Sequence, residues 1–168
     1  MTLRCEVPIS VHPEKTEHET VSDIEEWILK FPDFKSLNIV MEIINNTSYN
    51  LDYLFFVNDD YEMTNYKYSW FAAHYPNYDC GGGEYPVVAS CFANEHAIFD
   101  IHFGIINNRL NVISIGELCY DDIPYVVVQA MSYKEPVSVI EKITIKAYDG
   151  SAFRQISKGT KIIFERMW

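Results

Sequence analysis

Four groups of residues in this chain have side chains of the kind that do chemistry. Asn58, Asp59, Asp60 and Glu62 crowd hard oxygens into one short segment. No glycine centres that segment and it falls short of calcium-loop length, so it reads as a solvated acidic turn. His74, Cys80, Cys91 and His96 are ligand types suited to tetrahedral zinc, but their spacings match no compact knuckle. No metal or cofactor is therefore expected. Gly81-Gly82-Gly83 lacks the following Lys-Ser/Thr and the strand-to-helix setting of a phosphate loop, and reads as a flexible turn. Ser151, in Asp149-Gly150-Ser151, is a turn residue rather than a nucleophile on an elbow. No carboxylate pair is recognisably spaced for glycoside hydrolysis. With no nucleophile, base or metal set converging, the chain is expected not to be an enzyme.

Aromatic rings concentrated between residues 49 and 85 remain. Tyr61, Tyr66, Tyr68, Trp70, Tyr75 and Tyr78 combine apolar faces with polar tips, a chemistry that suits a lipid, glycan or protein surface. Asp59, Asp60, Glu62, Asp121 and Asp122 offer the other candidate surface, an acidic face for a basic partner. The 168 residues carry 24 Asp and Glu against 13 Lys and Arg, a formal net charge of -11. That balance excludes nonspecific nucleic-acid binding, which needs clustered cations, and disfavours adsorption to an anionic leaflet.

Cys5, Cys80, Cys91 and Cys119 form no CxxC pair, so reduced thiols are expected. Cys80 and Cys91 could bridge only in an oxidising compartment, where the sequons starting at Asn45 and Asn46 would matter too. Residues 1–10 lack the basic and apolar regions of a secretory signal, and no run approaches membrane-spanning length. A cytoplasmic location is expected, with leaderless secretion as the alternative.

The elements that must position these residues read as mainly β. Between residues 97 and 117, Phe99, Ile101, Phe103 and Ile105 alternate with Asp100, His102 and Gly104. Asn107-Asn108 then supplies a two-residue turn, predicting a central hairpin with Phe103 opposite Val112 and Ile105 opposite Leu110. Residues 37–44, 49–57, 85–92, 125–131 and 161–164 read as strands, as do the alternating Tyr66, Tyr68 and Trp70. Asp149-Gly150 predicts a second tight hairpin. Ser22 and Glu25 form a capping box, and Ile24, Trp27, Ile28 and Phe31 follow at helical spacing up to Pro32. An amphipathic helix over residues 22–31 is predicted, after a polar connector ending at residue 20. The whole reads as a single domain, an antiparallel β-sandwich of about eight to ten strands with one short N-terminal helix.

Three features give this order of elements a resemblance to a known family. Asn45-Asn46-Thr47 follows a β-branched strand, Gly83-Glu84-Tyr85 leads into residues 87–92, and Gly159-Thr160 opens the last strand. Over roughly residues 37–168 the chain resembles the aegerolysins and, more distantly, the actinoporins, small β-sandwich proteins that bind membrane lipids and in some cases form pores. The Ser/Gly-rich loop of aegerolysins has no counterpart near residues 93–97, so no lipid-binding residue carries over. The actinoporin likeness implies that residues 23–31 are the membrane-inserting segment. The resemblance implies a lipid- or glycan-binding protein docking through its exposed aromatics. The charge implies the alternative, a cytoplasmic immunity-type inhibitor that neutralises a basic toxin or nuclease through its acidic face.

Overall fold

The computed structural model describes residues 3–8, 16–74, 76–121 and 123–167. Among the described residues fourteen strands, labelled in chain order, form two sheets with mostly antiparallel pairing, a sandwich-like arrangement with more strands than expected. The smaller sheet runs β1 (Arg4–Pro8), β3 (Glu26–Phe34), β12 (Ile140–Tyr148), β5 (Leu51–Val57) and β8 (Val87–Cys91), with β13 (Phe153–Arg154) paired to β12. The larger runs β2 (Thr16–Glu19), β14 (Lys161–Met167), β4 (Ser36–Ile44), β9 (His96–Ile106), β10 (Arg109–Tyr120), β11 (Ile123–Tyr133), β6 (Tyr66–His74) and β7 (Asn77–Gly83).

The central hairpin forms in the expected register, with Phe103 opposite Val112 and Ile105 opposite Leu110. Asn107 and Asn108 take φ of 51° and 58°, the left-handed values that a type I′ turn requires. Phe99, Ile101 and Phe103 point inward and are buried together with Trp27, Tyr53 and Phe55 of the smaller sheet in one core cluster.

Residues 22–31 are not a helix. Trp27, Ile28 and Leu29 are contiguous and all buried, so the segment needs cover on both faces, which a helix with one apolar stripe does not give. It becomes β3, paired in parallel with β1 and antiparallel with β12. Pro32 falls where the β3–β12 register shifts, a position that tolerates its missing N–H. Asp23 accepts from Lys158 N at 2.8 Å instead of serving a helix start.

Three smaller readings change as well. The polar connector contains β2, which pairs with β14. Asp149-Gly150 does not make a two-residue turn: Asp149 Oδ1 accepts from Ser151 N, Ser151 Oγ and Ala152 N at 2.7–2.8 Å, closing a wider loop before β13. The triple glycine is not a flexible turn but the end of β7, paired residue for residue with Trp70, Ser69 and Tyr68 of β6.

Candidate functional site

Strand alternation along β6 divides its side chains between the two faces of the larger sheet. Tyr66, Tyr68, Trp70 and Ala72 face the smaller sheet, and the glycines of β7 make room for two of these rings. A Cβ on Gly81 would sit 2.7 Å from Trp70 Nε1, and one on Gly83 would sit 3.1 Å from Tyr68 Cε1. The rings thus lie across bare backbone, an arrangement in which aromatic cover compensates for side chains that glycine lacks. At Gly82 the same addition would meet the Tyr68 carbonyl oxygen at 2.5 Å.

The larger sheet extends past β8, the edge of the smaller one, by β6 and β7. A cleft of about 310 Å³ opens there, within the size range of small-ligand sites. Half-buried Tyr68, Trp70, Phe92 and Tyr125 wall it, while Asp52, Ser90, Gln129 and, at the exposed rim, Asp79 supply its polar groups. Ser90 Oγ donates to Asp52 Oδ1 at 2.7 Å, and Gln129 Nε2 donates to Ser90 Oγ at 3.0 Å. Burial pushes the Asp52 carboxyl above its usual range, with the Ser90 hydrogen bond pulling the other way. Burial also raises the Tyr68 phenol, and the Asp52 charge adds to the effect. Among the described residues neither lysine nor arginine lines the cleft.

The other end of β6 is closed. Tyr66 is fully buried, donating to Asp60 O at 2.8 Å and accepting from Val57 N at 3.0 Å, so it is not available to a partner. Asp60 Oδ2 accepts from Tyr133 Oη at 2.6 Å and Asn65 Nδ2 at 2.8 Å, and its Oδ1 accepts from Glu62 N at 3.0 Å. Burial alone would raise this carboxyl, but those hydrogen bonds outweigh it and hold it below the usual range. Glu62 caps a 3-10 turn (Met63–Asn65) through Thr64, Asp59 pairs with Lys142, and Tyr61 packs on Phe56. Asp121 lies in the turn before β11, at the opposite end of that strand from Tyr133. A rise of roughly 3.3 Å per residue puts it on the order of 30 Å from Asp60. Tyr78 stacks on Phe71, on the outward face of the larger sheet. Tyr75 and Asp122 lie outside the described residues.

Of the proposed aromatic set, then, only Tyr68 and Trp70 meet in the cleft. Sequence reasoning missed Asp52, Ser90, Gln129, Phe92 and Tyr125. A signal existed for two of them: Gln129 sits at an inward position between Val127 and Met131, and Ser90 interrupts an apolar strand.

Cys80 is exposed on the larger sheet and Cys91 is buried in the smaller one, where burial pushes its thiol up to about 12. Both are free. Among the described residues, His74, Cys80, Cys91 and His96 are not part of any cluster of metal-ligating side chains. Asn45 is buried and donates to Tyr49 O and Phe92 O, so its amide is committed to the fold.

The outward face of the larger sheet carries a second unusual surface. Phe71, Val128 and Ile115 line up across β6, β11 and β10, flanked by Val126 and Ile113, and all five are exposed. Among the described residues no helix is long and apolar enough to cross a membrane. Neither a family model nor a curated protein matches this chain.

Proposed function

We propose that this chain is a non-catalytic binding protein that holds the polar end of a neutral lipid, or a glycan, in the cleft between its sheets. The observation that carries this reading is the set of half-buried rings, Tyr68, Trp70, Phe92 and Tyr125, opening onto a shared cavity with polar groups at its base. Rings held this way supply apolar contact area at little entropic cost, because neighbouring backbone already fixes them. The aegerolysin resemblance agrees with a ligand of this kind. The net charge of -11 points to a neutral surface rather than an anionic one.

The inhibitor reading has less support. Asp59, Asp60 and Glu62 are engaged by Lys142, Tyr133 and Thr64, and Asp121 lies at the far end of β11. These acids do not make one continuous face.

Vesicle sedimentation tests the proposal, using zwitterionic phosphatidylcholine with and without sphingolipid or a neutral glycolipid, beside an anionic composition. Binding to at least one neutral composition is expected, with loss of about 2 kcal/mol, roughly 30-fold, on Trp70→Ala. Failure to bind any neutral vesicle, or Trp70→Ala binding as the unchanged protein does, overturns it.

A further inference from the structure

The cleft holds acceptors and donors that the protein does not use. Ser90 has one hydroxyl proton. It goes to Asp52, so the Ser90 oxygen can only accept, and Gln129 must turn its NH2 toward it. The Gln129 carbonyl oxygen is thereby turned away from Ser90. Gln129 is 4% exposed, and its Oε1 has no hydrogen-bond partner among the described residues. A buried acceptor left this way keeps its full desolvation penalty. Asp52 uses Oδ1 for Ser90, and its Oδ2 makes no hydrogen bond among the described residues. Tyr68 Oη, Tyr125 Oη and Trp70 Nε1 on the walls also make no hydrogen bond among the described residues, but unlike Gln129 Oε1 they are open to solvent.

From this mixed set we infer that the cleft is a saccharide site, with Asp52 and Gln129 as the residues that read ring hydroxyls. The inference rests on the proposed function and chooses between its two ligand classes. A quaternary ammonium head group has no proton to give Asp52 or Gln129 and leaves both acceptors empty. A primary ammonium fills the acceptors but accepts nothing from the indole or the phenols. A pyranose ring does both, since each hydroxyl donates and accepts, and its C–H face stacks on an aromatic wall. Its neutrality also avoids like-charge repulsion from the two carboxylates that line the cleft, half-buried Asp52 and exposed Asp79. Because Gln129 Oε1 lies beneath the walls, a hydroxyl reaches it as a ring shifts, and Trp70 is positioned to report the event.

The test is titration of the full chain, followed by the indole N–H and side-chain amide signals in nitrogen-15 NMR. The probes are the methyl pyranosides of glucose, galactose, mannose and N-acetylglucosamine, with phosphocholine and n-butylamine in parallel. Saturable shifts of the Trp70 indole and the Gln129 amide with at least one glycoside are expected. Asp52→Asn keeps the acceptor for Ser90 but alters the free oxygen, and should weaken that binding by about tenfold or more, as for a hydrogen bond to a charged group. Gln129→Met serves as a second variant, with the same expectation, and Phe71→Ser on the outer face should bind normally. Shifts with phosphocholine or n-butylamine but none of the glycosides overturn the saccharide inference and leave cleft binding standing. No shift with any probe overturns both. Glycoside binding unaffected by Asp52→Asn and Gln129→Met removes these two residues from the role.

Discussion

One strand, β6, carries two assemblies built from the same materials and finished differently. At its Tyr66 end, aromatic rings and a carboxylate satisfy one another: Asp60 has three donors, and Tyr66 both gives and receives a hydrogen bond. At its Trp70 end, rings and a carboxylate meet again, but Asp52 has one donor and Gln129 keeps an idle carbonyl. Composition does not separate them. What does is whether the hydrogen-bonding capacity closes on itself, since a closed set holds the fold and an open set has something left for a ligand.

The sharpest way to break this contrast is to truncate a ring at each end. Tyr66→Ala removes a fully buried ring and strands the Val57 N–H, so it should cost about 3–5 kcal/mol of unfolding free energy, read by denaturant titration. Trp70→Ala should cost about 1 kcal/mol of stability and about 2 kcal/mol of binding. A stability loss in the Tyr66 range would make the Trp70 end part of the core and dissolve the distinction.

A subtler change acts on the floor instead of the ring. Gly81→Ala places a methyl group where the Trp70 indole lies, and the indole must move to admit it. Unfolding free energy should fall by about 1 kcal/mol, as for a mild overpacking, while binding drops by more than stability does. A change in stability alone, with binding intact, would mean that the indole's present position is irrelevant to the site.

The smallest effect is a pH dependence of opposite sign at the two ends. Asp60 is held below its usual range, so its contribution is present above the unfolded value and lost as pH falls through the folded one. Asp52 is raised by burial, so its contribution is complete below the unfolded value and lost as pH rises through the folded one. Asp52→Asn should therefore stabilise the protein above that window and have little effect below it, whereas Asp60→Asn should destabilise it most at neutral pH. Thermal unfolding from pH 3 to pH 8 distinguishes the two, and parallel pH profiles for both variants would contradict the contrast.

Much of the fold was legible because its signals are local. The central hairpin needs only the alternation around Phe103 and two asparagines that tolerate positive φ. The segment at Trp27 misled because Ile24, Trp27, Ile28 and Phe31 fall at helical spacing, while the contiguous Trp27, Ile28 and Leu29 fit a strand covered on both faces once β1 and β12 flank it. The glycines of β7 misled for a related reason: their partners are the rings of Trp70 and Tyr68, which supply the bulk that glycine lacks. The site was legible only in its walls. Tyr68 and Trp70 stood out by alternation, but Ser90 meets Asp52 across 38 positions and Gln129 across 39, separations that no motif spans.

The outward row of Phe71, Val128 and Ile115 has a consequence for the protein as a colloid. Apolar side chains displayed on a broad sheet attract other copies, and a formal charge of -11 is the force that keeps those copies apart. That repulsion weakens as pH approaches the sequence isoelectric point near 4.8, and salt shortens its reach to about 8 Å at physiological strength. Light scattering should therefore rise toward pH 5, and more so in salt, while the fold itself is still intact. Replacing Ile115 with lysine should quiet it. The solubility of this chain is then governed by its electrical double layer, and its turbidity in mild acid reports on one sheet face instead of on unfolding.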